Sequence, residues 1–203
     1  MKRLITPVLA ISIIGSTLMA SAQTKFPLRV DVDVSTKRSK RNIGAGRDGE
    51  AKVENVQLIV KIRKASGQPW EDPITAELYV IGKQIHTGYL GIIDVKKGSG
   101  TFNKADDNSF KYTSPMYPIG KTTGNINVGG TYETYLVVIT DHTGKIVTTR
   151  SGRSIGDEGI EFIRTLGPET LFDRDGNIIG KLENPGEAFK SAIPAATNPG
   201  GDY

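Results

Sequence analysis

Cysteine is absent from this sequence of 203 residues, and histidine occurs only at His86 and His142. Without cysteine no disulfide can form, so the burial of apolar side chains must hold the fold together. Two histidines and no thiol are too few ligands for a zinc site rich in those residues. The chain is nevertheless long enough for one good hydrophobic core.

The short motifs that identify common enzymes are also missing. The sequence contains no G-x-S-x-G motif and no phosphate-binding loop, and no pair of carboxylates stands out. No set of base, nucleophile and metal ligands is recognisable either. We therefore predict no enzymatic activity, no catalytic or metal-binding residues and no cofactor.

The first 22 residues have the pattern of a secretory signal peptide. A basic start at Lys2 and Arg3 precedes the apolar stretch 4–19, and Ala20-Ser-Ala22 follows. This order predicts cleavage after Ala22, with no membrane span in the mature chain. The expected location is the periplasm, the outer membrane or the cell surface. Cleavage leaves 24 basic and 22 acidic side chains, a net charge of +2 that gives no support to a nucleic-acid partner.

Alternating apolar residues predict several β-strands. The pattern runs through 26–34, 56–63 and 74–80, and its strongest pair of segments is 131–140 and 145–150. Short alternating strands with turn signals about every ten residues predict an all-β, immunoglobulin-like antiparallel β-sandwich. A jelly roll is the nearest alternative, because such patterns do not reveal strand order. The residues expected to face the core are Leu28, Val30, Val32, Val56, Leu58, Val60, Ile62, Leu78, Val80, Leu136 and Val138.

Weaker signals fill the rest of the chain. Short β-rich pieces are predicted at 89–95, 100–102 and 109–113, with a turn at Lys97-Gly-Ser-Gly100. The segment 160–166 fits either a strand or a single helical turn. We expect the sandwich to occupy 23–167, followed by an irregular C-terminal extension and flexible tail over 168–203.

Two acidic stretches could be read as sites or as turns. Asp141-His-Thr-Gly144 joins two β-rich runs, and its composition favours a hairpin turn over part of an active site. Asp173-Arg-Asp-Gly-Asn177 lacks the glycine and glutamate positions of a calcium loop. It is interpreted as an Asp-Gly turn between 171–172 and 178–179.

Two other features are candidates for binding. The basic run Lys37-Arg-Ser-Lys-Arg41 is interpreted as a solvated loop, with contact to acidic glycans or lipopolysaccharide as the functional alternative. Carbohydrate-binding sandwiches stack sugars on exposed aromatic rings, although Tyr and Trp are also ordinary half-buried sandwich residues. The candidate contacts with a glycan or a partner are Trp70, Tyr112, Tyr117 and Tyr132.

As an exported, cysteine-free β-sandwich with long loops, the chain resembles bacterial immunoglobulin-like surface modules. More specifically, in its signal segment, size and Gly/Asn-rich strand links it resembles a small secreted verrucomicrobial protein of a type IV pilus-like gene cluster. The resemblance implies an outer-membrane or surface location and a structural or adhesive role without catalysis. The chain lacks the Cys-Trp-Cys core of antibody-type domains and the glutamate of a prepilin cleavage site. It would therefore be an accessory protein and not a fibre subunit.

The sequence thus predicts a non-catalytic exported protein that acts as a structural or protein-binding module, accessory to a pilus-like assembly or to adhesion. Its expected partners are proteins of a periplasmic or cell-surface assembly. Either an exposed strand edge or the tail could bind them, and strand addition is a ready mode for a sandwich. The alternative function is a carbohydrate-binding module, for which host or mucus glycans are the expected partners.

Overall fold

The computed structural model describes residues 27–42, 50–65, 70, 72–102, 108–123 and 129–181. The predicted signal peptide and its cleavage site lie outside these residues, as does the tail from 182 onward. The elements of the described part are β1 (Leu28–Asn42), β2 (Glu50–Lys64), β3 (Ile74–Gln84), β4 (Leu90–Gly100), β5 (Ser109–Thr113), β6 (Tyr117–Thr123), β7 (Gly130–Thr140), β8 (Ile146–Ser151), α1 (Asp157–Thr165), β9 (Thr170–Phe172) and β10 (Ile178–Lys181).

The strands form two antiparallel sheets, which confirms the predicted all-β sandwich. In the first sheet, β2 pairs with β1 on one side and with both β5 and β6 on the other. The second sheet has the order β10-β9-β4-β3-β7-β8. Strands β1, β2, β5 and β6 thus lie in one sheet, while β3, β7 and β8 are neighbours in the other. This order is the immunoglobulin-like arrangement.

The core between the sheets follows the alternation of the sequence. Nine of the residues predicted to face the core do so, and Val32 among them is only partly buried. The β7 residues that join this core are Tyr135, Val137 and Ile139. Leu136 and Val138, which were predicted to point inward with the others, are buried on the opposite face. The run 135–139 is apolar at every position, because both faces of β7 are covered, so its pattern could not show which face is which.

A second core lies between the outer face of the second sheet and α1. Ile160 and Ile163 of the helix are buried against Tyr79, Leu136 and Val138. These two isoleucines are three residues apart and so share one face of the helix. Asp157 and Glu158 in the first turn and Arg164 in the last turn suit the helix dipole. The segment 160–166, for which strand and helical turn were both open, therefore forms most of α1 and its C-terminal end.

Two predicted loops are strands. Lys97-Gly-Ser-Gly100 was predicted as a turn, but it lies in β4 and pairs with β3 from Ile74 to Glu77. A Cβ on Gly100 would lie 2.7 Å from the Phe110 ring, so this glycine makes room for a neighbouring side chain. The basic run 37–41 was also predicted as a loop. The run is part of β1, because β2 is also 15 residues long and pairs with β1 over its whole length.

The interpretation of Asp141-His-Thr-Gly144 as a hairpin turn is confirmed. The Asp141 carboxylate accepts hydrogen bonds from the N–H groups of Thr143 (2.9 Å) and Lys145 (3.0 Å). Gly144 has the positive φ of 84° that this turn requires. His142 is exposed, and its Nδ1 lies 3.8 Å from a carboxylate oxygen of the equally exposed Asp72.

The second acidic stretch is a turn as well. The Asp173 carboxylate accepts hydrogen bonds from the N–H groups of Asp175 (3.0 Å) and Asn177 (2.8 Å), and Gly176 has a φ of 85°. This turn joins β9 to β10, and β9 pairs with β4. The predicted boundary at residue 167 falls between α1 and β9. The Phe162 and Phe172 rings, 5.6 Å apart and edge to face, pack α1 against this hairpin.

Candidate functional site

The inner face of the first sheet changes from apolar to charged towards one end of its strands. Along β1 the inward positions are apolar up to Val34, and Thr36 and Arg38 follow at the same spacing of two. β2 changes from Val56 to Glu54, the partner of Arg38, and β6 changes at the next inward position, from Ile119 to Lys121. The charged residues that continue the apolar inward positions of β2 and β6 are Glu54, Lys52 and Lys121. The hydrophobic core therefore ends here, although the strands continue.

A groove of about 640 Å³ occupies the space beyond the core. One wall is the charged part of β1, β2 and β6, and the facing wall is the start of β7 at Gly130, Thr131 and Tyr132. Ile119, which is fully buried, lies at its base. The groove thus combines an apolar base with charged walls, which is a common form for a binding site.

Charged side chains line the walls of the groove. Among the lining residues that the structure describes, Arg38, Lys52 and Lys121 are basic and Glu54 is acidic. Arg38 Nε lies 3.0 Å from Glu54 Oε1, so this pair neutralises itself. Lys52 and Lys121 are directly opposite each other in the β2–β6 register.

The outer edge of β1 borders the groove and is open. The N–H of Ala65 donates to the carbonyl of Pro27 at 2.8 Å, and the β1–β2 register continues from there without a bulge. Because bonded and non-bonded pairs alternate along an antiparallel ladder, the odd-numbered residues of β1 bond to β2. Even-numbered residues such as Val34, Thr36 and Arg38 therefore direct their N–H and C=O groups away from β2. No strand pairs with β1 on that side in the described ranges.

The opposite side of the groove is closed. Lys121 near the end of β6 forms a bridge with Gly129 just before β7, which links the two sheets there. On the β1 side the second sheet offers less cover, because β8 pairs only with the Leu136–Thr140 part of β7. The groove is therefore entered from the side on which β1 is the edge.

The structure brings two of the four predicted contact residues together. Tyr117 is buried, and its hydroxyl donates to Asp94 Oδ2 at 2.7 Å. Burial, together with this hydrogen bond, raises the pKa of Tyr117 well above its ordinary value. Tyr112 is half-buried near it and lines a cavity of about 90 Å³ between the sheets with Phe110. The Tyr117 ring therefore belongs to the interior of the sandwich, and the Tyr112 ring lies at its margin.

The other two contact residues lie near opposite ends of β3. Trp70 is half-buried, and its Nε1 donates to the carbonyl of Asp72, just before β3 begins. Tyr132 pairs in register with Gly82, which is about 26 Å from the start of β3 at strand spacing. Tyr132 lines the groove, and burial raises its pKa. The four rings therefore do not share one flat surface.

A separate cluster of charged groups lies beneath α1. Glu77 on β3 is only 6% exposed and accepts hydrogen bonds from Lys97 Nζ (3.0 Å), the Tyr79 hydroxyl (2.9 Å) and Arg164 Nε (3.2 Å). Burial acts to raise the pKa of Glu77, but the three donors outweigh it and hold the pKa below its ordinary value. Since every member bonds within the cluster, its role is to fix α1 on the sheet. Within the described residues, no group of three or more His, Cys, Asp or Glu side chains could hold a metal ion.

Sequence reasoning named the aromatic rings but missed the groove. Arg38 was included only as part of a basic run in a supposed loop, and Lys52, Glu54 and Lys121 were not considered. The sequence did contain a signal for the groove. Positions 52 and 54 continue the spacing of two that places the even-numbered residues of 56–62 on the inner face. Finding it required extending the alternation past the last apolar residue.

No family model and no curated protein matches the chain. Among solved structures, a Northeast Structural Genomics Consortium target is 12% identical, with 64% of this chain and 89% of that chain covered and a TM-score of 0.25. A protein from Akkermansia muciniphila is 15% identical, with 74% and 86% covered and a TM-score of 0.23. TM-scores this low carry no argument about function, and the association with a pilus stays a prediction.

Proposed function

We propose that the protein is a non-catalytic, exported module of the cell envelope that binds a protein partner by strand addition to β1. The observation that supports this proposal is the open edge of β1, where Val34, Thr36 and Arg38 present backbone N–H and C=O groups outward. The partner would belong to a periplasmic or cell-surface assembly, and the resemblance described above suggests a pilus-like or adhesive one.

An exposed edge strand is a template for pairing with another chain. The main-chain hydrogen bonds of an added strand provide affinity, and its alternate side chains provide specificity. β1 is 15 residues long, whereas the outer strands of the second sheet, β8 and β10, have six and four residues. Short edges are one of the ways in which proteins avoid pairing. By this criterion β1 is the edge best suited to a partner.

The carbohydrate-binding alternative has less support. A stacking platform needs rings that are exposed and close together. Tyr117 is buried, Tyr112 is half-buried beside it, and Trp70 and Tyr132 lie near opposite ends of β3. No observation favours a sugar over a peptide.

The proposal can be tested by photo-crosslinking in cells that produce the protein. A photoreactive residue replaces Ser39, which is exposed on β1, or Glu161, which is exposed on α1 as a matched control. We expect a discrete adduct with one protein from position 39 and none from position 161.

Proline variants then test whether the edge is responsible. Thr36→Pro removes an outward N–H and leaves pairing with β2 intact, so it should abolish the adduct without unfolding the protein. Ser35→Pro removes an N–H that bonds to β2, so it should lower stability. Equal adducts from positions 39 and 161, or an adduct that persists in a folded Thr36→Pro variant, would contradict strand addition at β1.

A further inference from the structure

We infer that the strand added to β1 is the β1 of a second copy of this chain, paired antiparallel about Ser35; this rests on the proposed function. β1 runs from Leu28 to Asn42, and Ser35 is its middle residue. Pairing about Ser35 therefore lets the two strands run together over their whole length. The two-fold axis uses the same edge of both copies, so the assembly stops at a dimer.

The backbone of β1 is suited to this pairing. Its even-numbered residues direct their N–H and C=O groups away from β2. In an antiparallel pair about Ser35, residues at equal distances from Ser35 lie opposite one another, so even-numbered residues meet even-numbered ones. Val34 of one copy therefore exchanges two hydrogen bonds with Thr36 of the other. The two Ser35 residues meet in the closer, non-bonded type of pair.

The charges along β1 are complementary to those of the same strand in the reverse direction. Asp33 and Lys37 lie at equal distances on the two sides of Ser35, and both are exposed. Among the described residues neither has an ion pair within its own copy. Pairing about Ser35 sets Asp33 of each copy opposite Lys37 of the other. Opposite charges facing each other across two strands stabilise their pairing.

Neighbouring registers lose this match. An axis at Val34 or at Thr36 sets Asp33 opposite a serine, and an axis at Lys37 sets that lysine opposite itself. Parallel pairing in register sets every charged residue opposite its own counterpart. Like charges directly opposite destabilise a sheet, so the charges select the antiparallel register about Ser35.

One like-charged pair remains in this register, at the two ends of the strands. Arg29 lies opposite Arg41 of the other copy. The Arg29 side chain is 70% exposed, and its Nε lies 3.0 Å from Asp31 Oδ1. Water screens charges this exposed, so the ends oppose pairing less than the centre favours it.

The centre of β1 also provides an apolar contact. Val34 is 38% exposed and lies next to the axis, where the hydrophobic core ends. In the dimer it would contact Thr36 and, diagonally, Val34 of the other copy on the same face. Edges that avoid pairing often carry charges, proline or a bulge. The three central residues of β1, by contrast, are uncharged, and its register with β2 has no bulge.

The absence of cysteine allows a single substitution to test the axis. Ser35→Cys in the mature chain, 23–203, should give a disulfide between copies on mild oxidation, because a non-bonded pair brings its Cα atoms to about 4.5 Å. Ser39→Cys is the matched control. Its two copies would be about 26 Å apart along the strands, so it should stay monomeric on a non-reducing gel.

Charge exchange tests the register, with light scattering to measure the mass in solution. The parent should have the mass of two chains. Asp33→Lys or Lys37→Asp alone should weaken the dimer about tenfold, since each turns two attractive pairs into repulsive ones. The double variant, and a mixture of the two single variants, should associate as the parent does, because opposite charges again face each other. Lys111→Asp makes the same change on exposed β5 and should have no effect.

The results that would overturn the inference are distinguishable. If the parent is a monomer and position 39 gives an adduct with a different protein in cells, the edge binds another partner and only the inference fails. If Ser39→Cys forms the disulfide as readily as Ser35→Cys, the register is wrong. If a Thr36→Pro variant that is folded by circular dichroism still dimerises, the copies meet elsewhere. If there is neither a dimer nor an adduct, the proposed function fails too.

Discussion

Replacing Glu77 with glutamine tests whether the buried carboxylate holds α1 on the sheet. The substitution keeps the shape of the side chain and one carbonyl oxygen, but it removes the charge that three donors share. Of these, Tyr79 is buried, the Arg164 side chain is 24% exposed and the Lys97 side chain is 58% exposed. The first two must therefore contribute more than the third, which water screens.

The expected loss follows from the strength of charged hydrogen bonds. A hydrogen bond to a charged group is worth about 1 kcal/mol more than a neutral one. Counting the Tyr79 and Arg164 bonds in full and discounting the Lys97 bond for exposure gives a loss of about 2 kcal/mol. With a urea m-value of about 2 kcal/mol/M, the unfolding midpoint should fall by about 1 M. Glu161→Gln is the matched control, because Glu161 also contacts Arg164 but its side chain is 63% exposed. It should change stability by less than about 0.5 kcal/mol.

The pH dependence of stability tests whether the ionised form of Glu77 is the one that stabilises the fold. The pKa of Glu77 lies below its ordinary value of 4.5 in the folded protein, because the hydrogen bonds outweigh burial. A lowered folded pKa gives stability that is complete above the unfolded value and is lost as pH falls through the folded one. The gap between the parent and Glu77→Gln should be constant from about pH 8 to about pH 5.5 and shrink below about pH 4.5.

Urea unfolding followed by circular dichroism measures both effects. If Glu77→Gln matches the parent, or if the gap widens on acidification, then the carboxylate does not stabilise α1 as its ionised form. A loss as large in Glu161→Gln would show that the exposed pair, and not the buried carboxylate, is responsible.

Four further substitutions test three other parts of the fold in thermal melts. His142→Ala should change stability by less than about 0.5 kcal/mol, whereas Gly144→Val should cost about 1–3 kcal/mol, because a β-branched residue is strained at a φ of 84°; the reverse order would mean that the turn is a site. Tyr117→Phe should cost about 1 kcal/mol, since it leaves Asp94 without a buried donor, and an unchanged melting temperature would show that water replaces this donor. Ile163→Ala should cost about 2–4 kcal/mol because it opens a cavity under α1; a loss below about 1 kcal/mol would mean that the helix packs loosely.

The sequence predicted which residues face the core correctly where only one face of a strand is buried. Alternation along β1 and β2 assigned Leu28, Val30 and Leu58 correctly, because polar residues mark the other face. It failed on β7, where Leu136 and Val138 belong to the second core. A strand covered on both sides has no polar face to read. The helix that covers it is too short to be recognised by its periodicity alone.

Local composition also failed where a distant contact overrides it. Gly100 suggested a turn, but the Phe110 ring in the other sheet is the reason for this glycine. Arg38 suggested a solvated loop, and pairing with β2 makes it part of a strand. For the same reason the groove could not be located, because it depends on which strands are paired where their apolar positions end.

The two cores share their central strands, and this affects how the protein unfolds. Along β3, Leu78 and Val80 belong to the core between the sheets, while Tyr79 and Ile81 belong to the core under α1. Neither core can lose its packing without moving the backbone on which the other is built. The described part of the chain should therefore melt as one cooperative unit, with equal calorimetric and van't Hoff enthalpies. Damage to the helix would then lower the melting temperature of the whole sandwich.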